Sequence, residues 1–245
     1  MKQELGINLL VYKNALDQGV TQSSLLGKIK NQGINLAEVR REYIKDQNER
    51  ECIRKEAEKW HMKLCYSVPE KLMIDQMPNQ NLQVYMDEAM EMGVCNVKFN
   101  IGDLHKAKND GMEELKHILN QYSMTVTIEN DQTEENGTLS CVQAALQNIE
   151  KYKIPTGYTM DIGNWYWQKE NPKEAFEQLK NQIQIFHLKN IDFVQENPET
   201  VLLEKGKIPW QKMVKQLKEK AMVFLEYPME EKEISEQIET VKAIG

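Results

Sequence analysis

Short apolar runs recur along the chain, and each is followed by a stretch whose apolar residues fall at helical spacing. Residues 7–11 form the first run. The Thr21-Gln22-Ser23-Ser24 segment then offers N-cap chemistry for a helix through Leu25, Leu26 and Ile29 that closes near Gly33. Residues 35–41 alternate as a second strand, and residues 46–60 carry Ile53, Ala57 and Trp60 at helical spacing. A third strand is expected over 63–69, stopped by Pro69, and a helix over 82–93 with Gly93 at its C-terminal end. Residues 95–102 read as the fourth strand. Residues 110–122 read as a helix with Met112, Leu115, Ile118 and Leu119 on one face, and 124–129 as the fifth strand. A long helix is expected over 137–152. The sixth strand lies in Tyr158-Thr159-Met160-Asp161-Ile162-Gly163-Asn164-Trp165, followed by a helix that opens at Asn171-Pro172, with proline in its first position. Residues 184–188 form the seventh strand, 209–220 a helix, 222–227 the eighth strand and 231–244 a closing helix.

Strict alternation of strand and helix calls for a parallel sheet with right-handed crossovers. Eight such units in roughly 250 residues match the size of a closed barrel. The expected fold class is therefore α/β, a single (β/α)8 TIM barrel spanning residues 1–245. A doubly wound open sheet is the competing arrangement. Against it, the first strand is followed by Val11-Tyr12-Lys13-Asn14 rather than by a glycine-rich phosphate turn. No Gly-, Pro- or Ser-rich linker divides the chain.

Composition narrows the function classes. With 245 residues, 40% of them hydrophobic, the chain can bury a substantial core. A net charge of -7 with both signs interspersed, and no basic tract, argues against nucleic acid as a partner. Cys52, Cys65, Cys95 and Cys141 are scattered without CxxC spacing, as expected of reduced thiols in a reducing cytoplasm. The segment Met1-Lys2-Gln3-Glu4-Leu5-Gly6 leads into a strand without the apolar core of a signal peptide, and no apolar span of ~20 residues exists, so a cytoplasmic location and no membrane are expected.

The chemistry gathers at strand ends. Glu129, Asp161, His187 and Glu226 each close an apolar run, on the predicted fifth to eighth strands. In a barrel of this kind, polar residues at the C-terminal ends of strands line the active site. Each of the four taken alone reads as a solvated rim residue. Together, three acids crowded without a cation would repel one another and drive their pKa values up, so a cation is expected among them. Three carboxylates and one imidazole form a hard, oxygen-rich donor set that suits one divalent ion, Mn2+, Mg2+ or Co2+, with Zn2+ also admissible. His61, His105 and His117 fall in helical or loop positions and read as ordinary histidines.

These segments also carry a resemblance. Ala37-Glu38-Val39-Arg40-Arg41-Glu42, Ile128-Glu129-Asn130, Met160-Asp161-Ile162-Gly163-Asn164, Phe186-His187-Leu188-Lys189-Asn190, Gly206-Lys207-Ile208-Pro209-Trp210 and Phe224-Leu225-Glu226-Tyr227 occur in the order seen in the xylose isomerase-like TIM barrel superfamily, in its branch of sugar isomerases and epimerases. The chain resembles that superfamily over essentially its whole length. The resemblance implies a divalent metal bound by Glu129, Asp161, His187 and Glu226, with Glu129 and Glu226 doubling as acid/base groups. A metal holding adjacent oxygens of a hydroxy-ketone stabilises the enediolate left when the C–H proton departs. Two glutamates on opposite sides would take and return that proton.

The pattern also departs from its relatives. In the ketose 3-epimerases of the superfamily a histidine follows the strand-six aspartate by three residues, and an arginine follows the strand-seven histidine by six. Asn164 and Phe193 stand there instead. Glu135 matches a further family glutamate but reads as a helix N-terminal charge. The AP endonuclease branch needs several histidines at strand ends, which this chain lacks. For substrate contacts the candidates are Arg40, Lys98, Trp165 and Lys189, with Glu38 ambiguous. The cations would hold hydroxyls, a carboxylate or a phosphate, and Trp165 would stack on a sugar face. The alternative for Arg40 and Lys98 is pairing with nearby carboxylates. The expected activity is isomerisation or epimerisation of a small sugar or polyol derivative. A metal-dependent dehydratase resembling the inosose dehydratases, or a non-catalytic sugar-binding barrel, are the alternatives, and a homo-oligomer is left open.

Overall fold

A computed structural model of the protein describes residues 2–244. In chain order the elements are β1 (Glu4–Asn8), α1 (Lys13–Asp17), α2 (Gln22–Asn31), β2 (Leu36–Arg40), α3 (Gln47–Trp60), β3 (Lys63–Ile74), β4 (Met77–Pro78), α4 (Leu82–Met92), β5 (Asn96–Gly102) and α5 (Asn109–Leu119). They continue with β6 (Thr125–Glu129), α6 (Glu134–Gly137), α7 (Leu139–Tyr152), β7 (Thr156–Asp161), α8 (Pro172–Leu179), β8 (Ile183–Leu188), β9 (Asn190–Val194), β10 (Asn197–Val201), α9 (Trp210–Val214), β11 (Met222–Leu225) and α10 (Glu231–Lys242). Strands β1, β2, β3, β5, β6, β7, β8 and β11 pair in parallel, and the β2–β3 pairing closes the ring, giving a single (β/α)8 barrel.

Local chemistry sets the helix ends. Asp46 starts α3 by accepting from the Glu49 N–H at 3.0 Å, Thr138 starts α7 through Cys141 N at 3.3 Å, and Glu230 with Glu233 forms a capping box on α10. The apolar stripes then pack onto the barrel: Met112 and Leu115 of α5, and Val142, Ala145 and Ile149 of α7, are all buried. Among the described residues, no helix is long and apolar enough to cross a membrane.

Several expected boundaries move, each for a local reason. Pro69 does not end β3, because it sits in the register shift between Ser67 and Lys71, where no ladder bond needs its missing N–H. The helix expected over 137–152 starts at Leu139 as α7, because Thr138 is extended and caps it, and the short α6 before it was not expected. The helix expected over 209–220 is only the short α9, and the sixth expected strand ends at Asp161, with Asn164–Gln168 coiling as a 3-10 turn. Two hairpins were not expected. The tips Asp75-Gln76, between β3 and β4, and Gln195-Glu196, between β9 and β10, have two consecutive left-handed residues each, the primed turn that usually advertises itself by glycine or asparagine.

Barrel pairing carries one face around the ring. Asn8 aligns with Glu38, Glu38 with Cys65, Ser67 with Lys98, Lys98 with Thr127, Glu129 with Thr159, and Asp161 with His187. Aligned residues share a face and the side-chain period along a strand is two, so all of these point into the barrel. Two layers result. At mid-height lie Gly6, Leu36, Cys65, Asn96, Thr127, Thr159, Ile185 and Phe224. At the C-terminal rim lie Asn8, Glu38, Ser67, Lys98, Glu129, Asp161, His187 and Glu226. Gly6 has a plain role in the lower layer: a Cβ there would sit 2.5 Å from Phe224 Cε1.

Candidate metal and acid–base site

His187, fully buried at the end of β8, is the hub of the rim layer. Its Nδ1 lies 2.7 Å from Glu129 Oε1 and 3.0 Å from Glu226 Oε2, and its Nε2 lies 3.1 Å from Glu38 Oε2. The last contact is close but poorly aligned, and Nε2 makes no hydrogen bond. Asn8 ties two carboxylates together from β1: its Nδ2 donates to Glu38 and, at 3.2 Å, to Glu226 Oε1, while its Oδ1 accepts from Leu10 N at 2.8 Å. Ligand atoms of Glu129, Asp161, His187 and Glu226 all lie within 4.8 Å of one another, so the four residues marked as metal candidates do converge.

Asp161 is held by its own turn. Its Oδ1 accepts from Gly163 N at 2.8 Å and Asn164 N at 3.0 Å, and Asn130 clamps its backbone from both sides, accepting from Asp161 N at 3.0 Å and donating to Asp161 O at 2.9 Å. Oδ2 makes no aligned hydrogen bond, although Lys189 Nζ stands 2.7 Å away. The other cations each take a carboxylate. Lys98 Nζ lies 2.5 Å from Glu129 Oε2, and Arg40 reaches Glu226 Oε1 at 3.0 Å while Glu42 holds its Nε at 2.8 Å.

Dense charge in a dry place sets the proton affinities. Burial pushes Asp161 up, with Glu226 and Glu129 adding to the rise and Lys189 opposing it, so that its pKa stands at about 7. Burial would lower His187, but Glu226, Glu38 and Glu129 around it outweigh that and hold its pKa well above the ordinary imidazole value. Burial would raise Glu226 and Glu129. For Glu226 the His187, Lys189 and Lys98 cations win, and for Glu129 Lys98 and His187 do, so both stay below the usual carboxylate range.

The residues fit a divalent ion. Three carboxylates and an imidazole are a hard oxygen and nitrogen set. The imidazole presents Nδ1 to two glutamates, and the Glu38 carboxylate faces its far nitrogen at 3.1 Å, a charge contact without an aligned hydrogen bond. Asp161 Oδ2 is a buried oxygen without an aligned donor.

Other expected contacts fall differently. Arg40, Lys98 and Lys189 all reach the cluster, each on one of its carboxylates. Trp165 does not face the opening: the 3-10 turn rolls it into the core, fully buried with its indole N–H unpartnered, and Trp167 is the ring that approaches Lys189, 6.0 Å from Nζ to centroid. Asn164 serves the backbone, donating to Asn130 O at 2.9 Å, and Phe193 stacks edge-on against Tyr166 in the β9–β10 hairpin. Glu135 pairs with Lys71 at the start of α6. Asn8 and the seat of Glu38 beside His187 were not expected. The signal was available for Asn8, a polar residue that ends β1, but the apolar run reads straight through it to Val11.

No functionally curated protein matches the chain. Among solved structures, it is similar to an IOLI protein with a bound zinc atom, at 17% identity and TM-score 0.73 over 99% of this chain and 96% of that one. It is also similar to the probable 3-DHS dehydratase AsbF of Bacillus anthracis, at 12% identity and TM-score 0.71 over 99% and 98%. D-psicose 3-epimerase of Clostridium cellulolyticum H10, crystallised with D-tagatose, shares 10% identity and TM-score 0.69 over 99% of both chains. At such identities the likeness is one of fold. A family model adds sequence to it, matching residues 73–244, which include β6, β7, β8 and β11 with all four converging residues, and by that match the chain belongs to the xylose isomerase-like TIM barrel family.

Proposed function

We propose that this chain is a divalent-metal-dependent isomerase or epimerase acting on a small sugar or polyol derivative. The observation that carries the reading is the convergence of Glu129, Asp161, His187 and Glu226 within 4.8 Å at the rim of a barrel of this family. A divalent ion held there would offset the negative charge that develops on substrate oxygens as a neighbouring C–H proton leaves. Mn2+, Mg2+ and Co2+ suit the donors, and Zn2+ remains admissible, as in the similarly folded IOLI protein.

The acid–base work falls to Glu129 and Glu226. They arrive from β6 and from the end of β11 and both reach His187 Nδ1, at 2.7 and 3.0 Å, so two carboxylates from different strands border one position. Each is ionised at neutral pH and able to accept a proton. One glutamate takes the proton and the other returns one, to the opposite face in an epimerisation or to the next carbon in an isomerisation. Glu38 orients His187, and Arg40, Lys98 and Lys189 receive substrate oxygens.

Elemental analysis after Mn2+ reconstitution, followed by NMR of a sugar and polyol panel in D2O, tests the reading. One ion per chain, with deuterium entering the product at unchanged composition, is the expected result. Glu129→Gln should slow that exchange by roughly 10²–10⁴-fold in a protein that stays folded. A product lighter by one water would reassign the same residues to a dehydratase. A chain that retains no metal before or after reconstitution would sink the proposal.

A further inference from the structure

The two oxygens of Asp161 are not equivalent. Oδ1 accepts from two backbone N–H groups, Gly163 and Asn164, which together engage both of its lone pairs. Oδ2 is the one oxygen left for a metal, and Lys189 Nζ sits 2.7 Å from it, with a side chain only 11% exposed. Glu129 differs: Lys98 is on Oε2 while Oε1 faces the hub. A cation therefore already stands where Asp161 would meet a divalent ion.

A second observation shows that the lysine is seated there by construction. Gly163 has φ -80°, which any residue adopts, so the backbone does not call for glycine. Yet a Cβ at Gly163 would lie 2.5 Å from Lys189 Cγ and 2.8 Å from its Cε. The glycine is the track on which the lysine stem lies.

Building on the metal reading above, we propose that Lys189 is a resident counter-cation that competes with the divalent ion for Asp161 Oδ2 and is displaced when the ion binds, so that its freed ammonium is turned toward the substrate. Two like charges within a few ångströms in a buried site repel strongly, so the ion is not expected to settle on Oδ2 while Lys189 remains. The side chain has a place to swing: the face of Trp167, 6.0 Å from Nζ. Lys189 thereby links occupation of the metal site to readiness for substrate.

The test is the Mn2+ dissociation constant of the full chain, read by calorimetry and by the electron paramagnetic resonance signal of free Mn2+. Lys189→Met should bind Mn2+ at least about fivefold more tightly than the parent. A lysine with a merely structural role would give equal or weaker binding on removal, and that result in a folded variant overturns the proposal while leaving the metal reading intact. If Lys189→Met does not fold, Gly163→Ala decides by the same criterion, since it displaces the stem and keeps both backbone donors to Oδ1. If neither parent nor variant binds Mn2+ at millimolar concentration, the metal reading falls and this proposal with it.

Discussion

Inside the barrel, the mid-height layer and the rim layer are built on the same strands, two residues apart, yet they have opposite chemistry. Leu36, Cys65, Ile185 and Phe224 form a small buried apolar cluster at mid-height, and the rest of that layer carries a chain of neutral bonds in which Thr159 Oγ1 donates to Thr127 Oγ1 at 2.8 Å and Thr127 to Asn96 Oδ1 at 3.2 Å. One step up, the same strands present Glu38, Ser67, His187, Glu226, Asp161, Glu129 and Lys98. The lower layer is a dry floor. It excludes water from beneath the charges, so each ion pair above it acts in a poorly screening medium, and it props the imidazole, whose ring meets Phe224 edge-on at 5.8 Å. Packing and chemistry are thus separated by height rather than by segment.

Removing the floor should have the largest effect. Phe224→Ala leaves a cavity under His187, and chemical denaturation should show a loss of about 3–5 kcal/mol. Glu38→Gln attacks the rim alone. It removes the charge that faces His187 Nε2 and should weaken Mn2+ binding about 10–100-fold, with denaturation midpoints changing far less than for Phe224→Ala.

Protons probe the rim without mutation. An ion must displace the proton of Asp161 below about pH 7, and that of His187 over a higher range as well, because both groups are raised. Mn2+ affinity should therefore climb with pH, by about tenfold per unit where one proton is released and more steeply below 7, as calorimetry in a pH series would record. The smallest effect belongs to Thr159→Val. It breaks one neutral bond of the floor and should cost about 1 kcal/mol with Mn2+ affinity unchanged, and a change in affinity would mean that the two layers are not separable.

Much of the rim is legible in the amino-acid sequence, because Glu129, Asp161, His187 and Glu226 each end an apolar run and the barrel puts strand ends together. The remainder is not, for identifiable reasons. Asn8 depends on ring closure, which places β1 between β2 and β11 and lets one amide reach both Glu38 and Glu226. The two hairpins depend on Asp75, Gln76, Gln195 and Glu196 accepting left-handed backbone, which their residue types do not announce. The inward roll of Trp165 depends on the 3-10 turn after β7 and on core space that no local pattern describes.

Periods of two and 3.6 residues are local properties, so the alternation of strand and helix, the barrel it implies and the residue that tips each strand can be read along the chain. Partnership among the charges is not local. Whether Lys189 meets Asp161, whether His187 Nδ1 meets two glutamates, and which oxygen of Asp161 the lysine reaches depend on strand stagger and on ångström-scale distances between residues far apart in the chain. Electrostatic energy in a dry site changes steeply over such distances, so only the closed barrel decides those pairings.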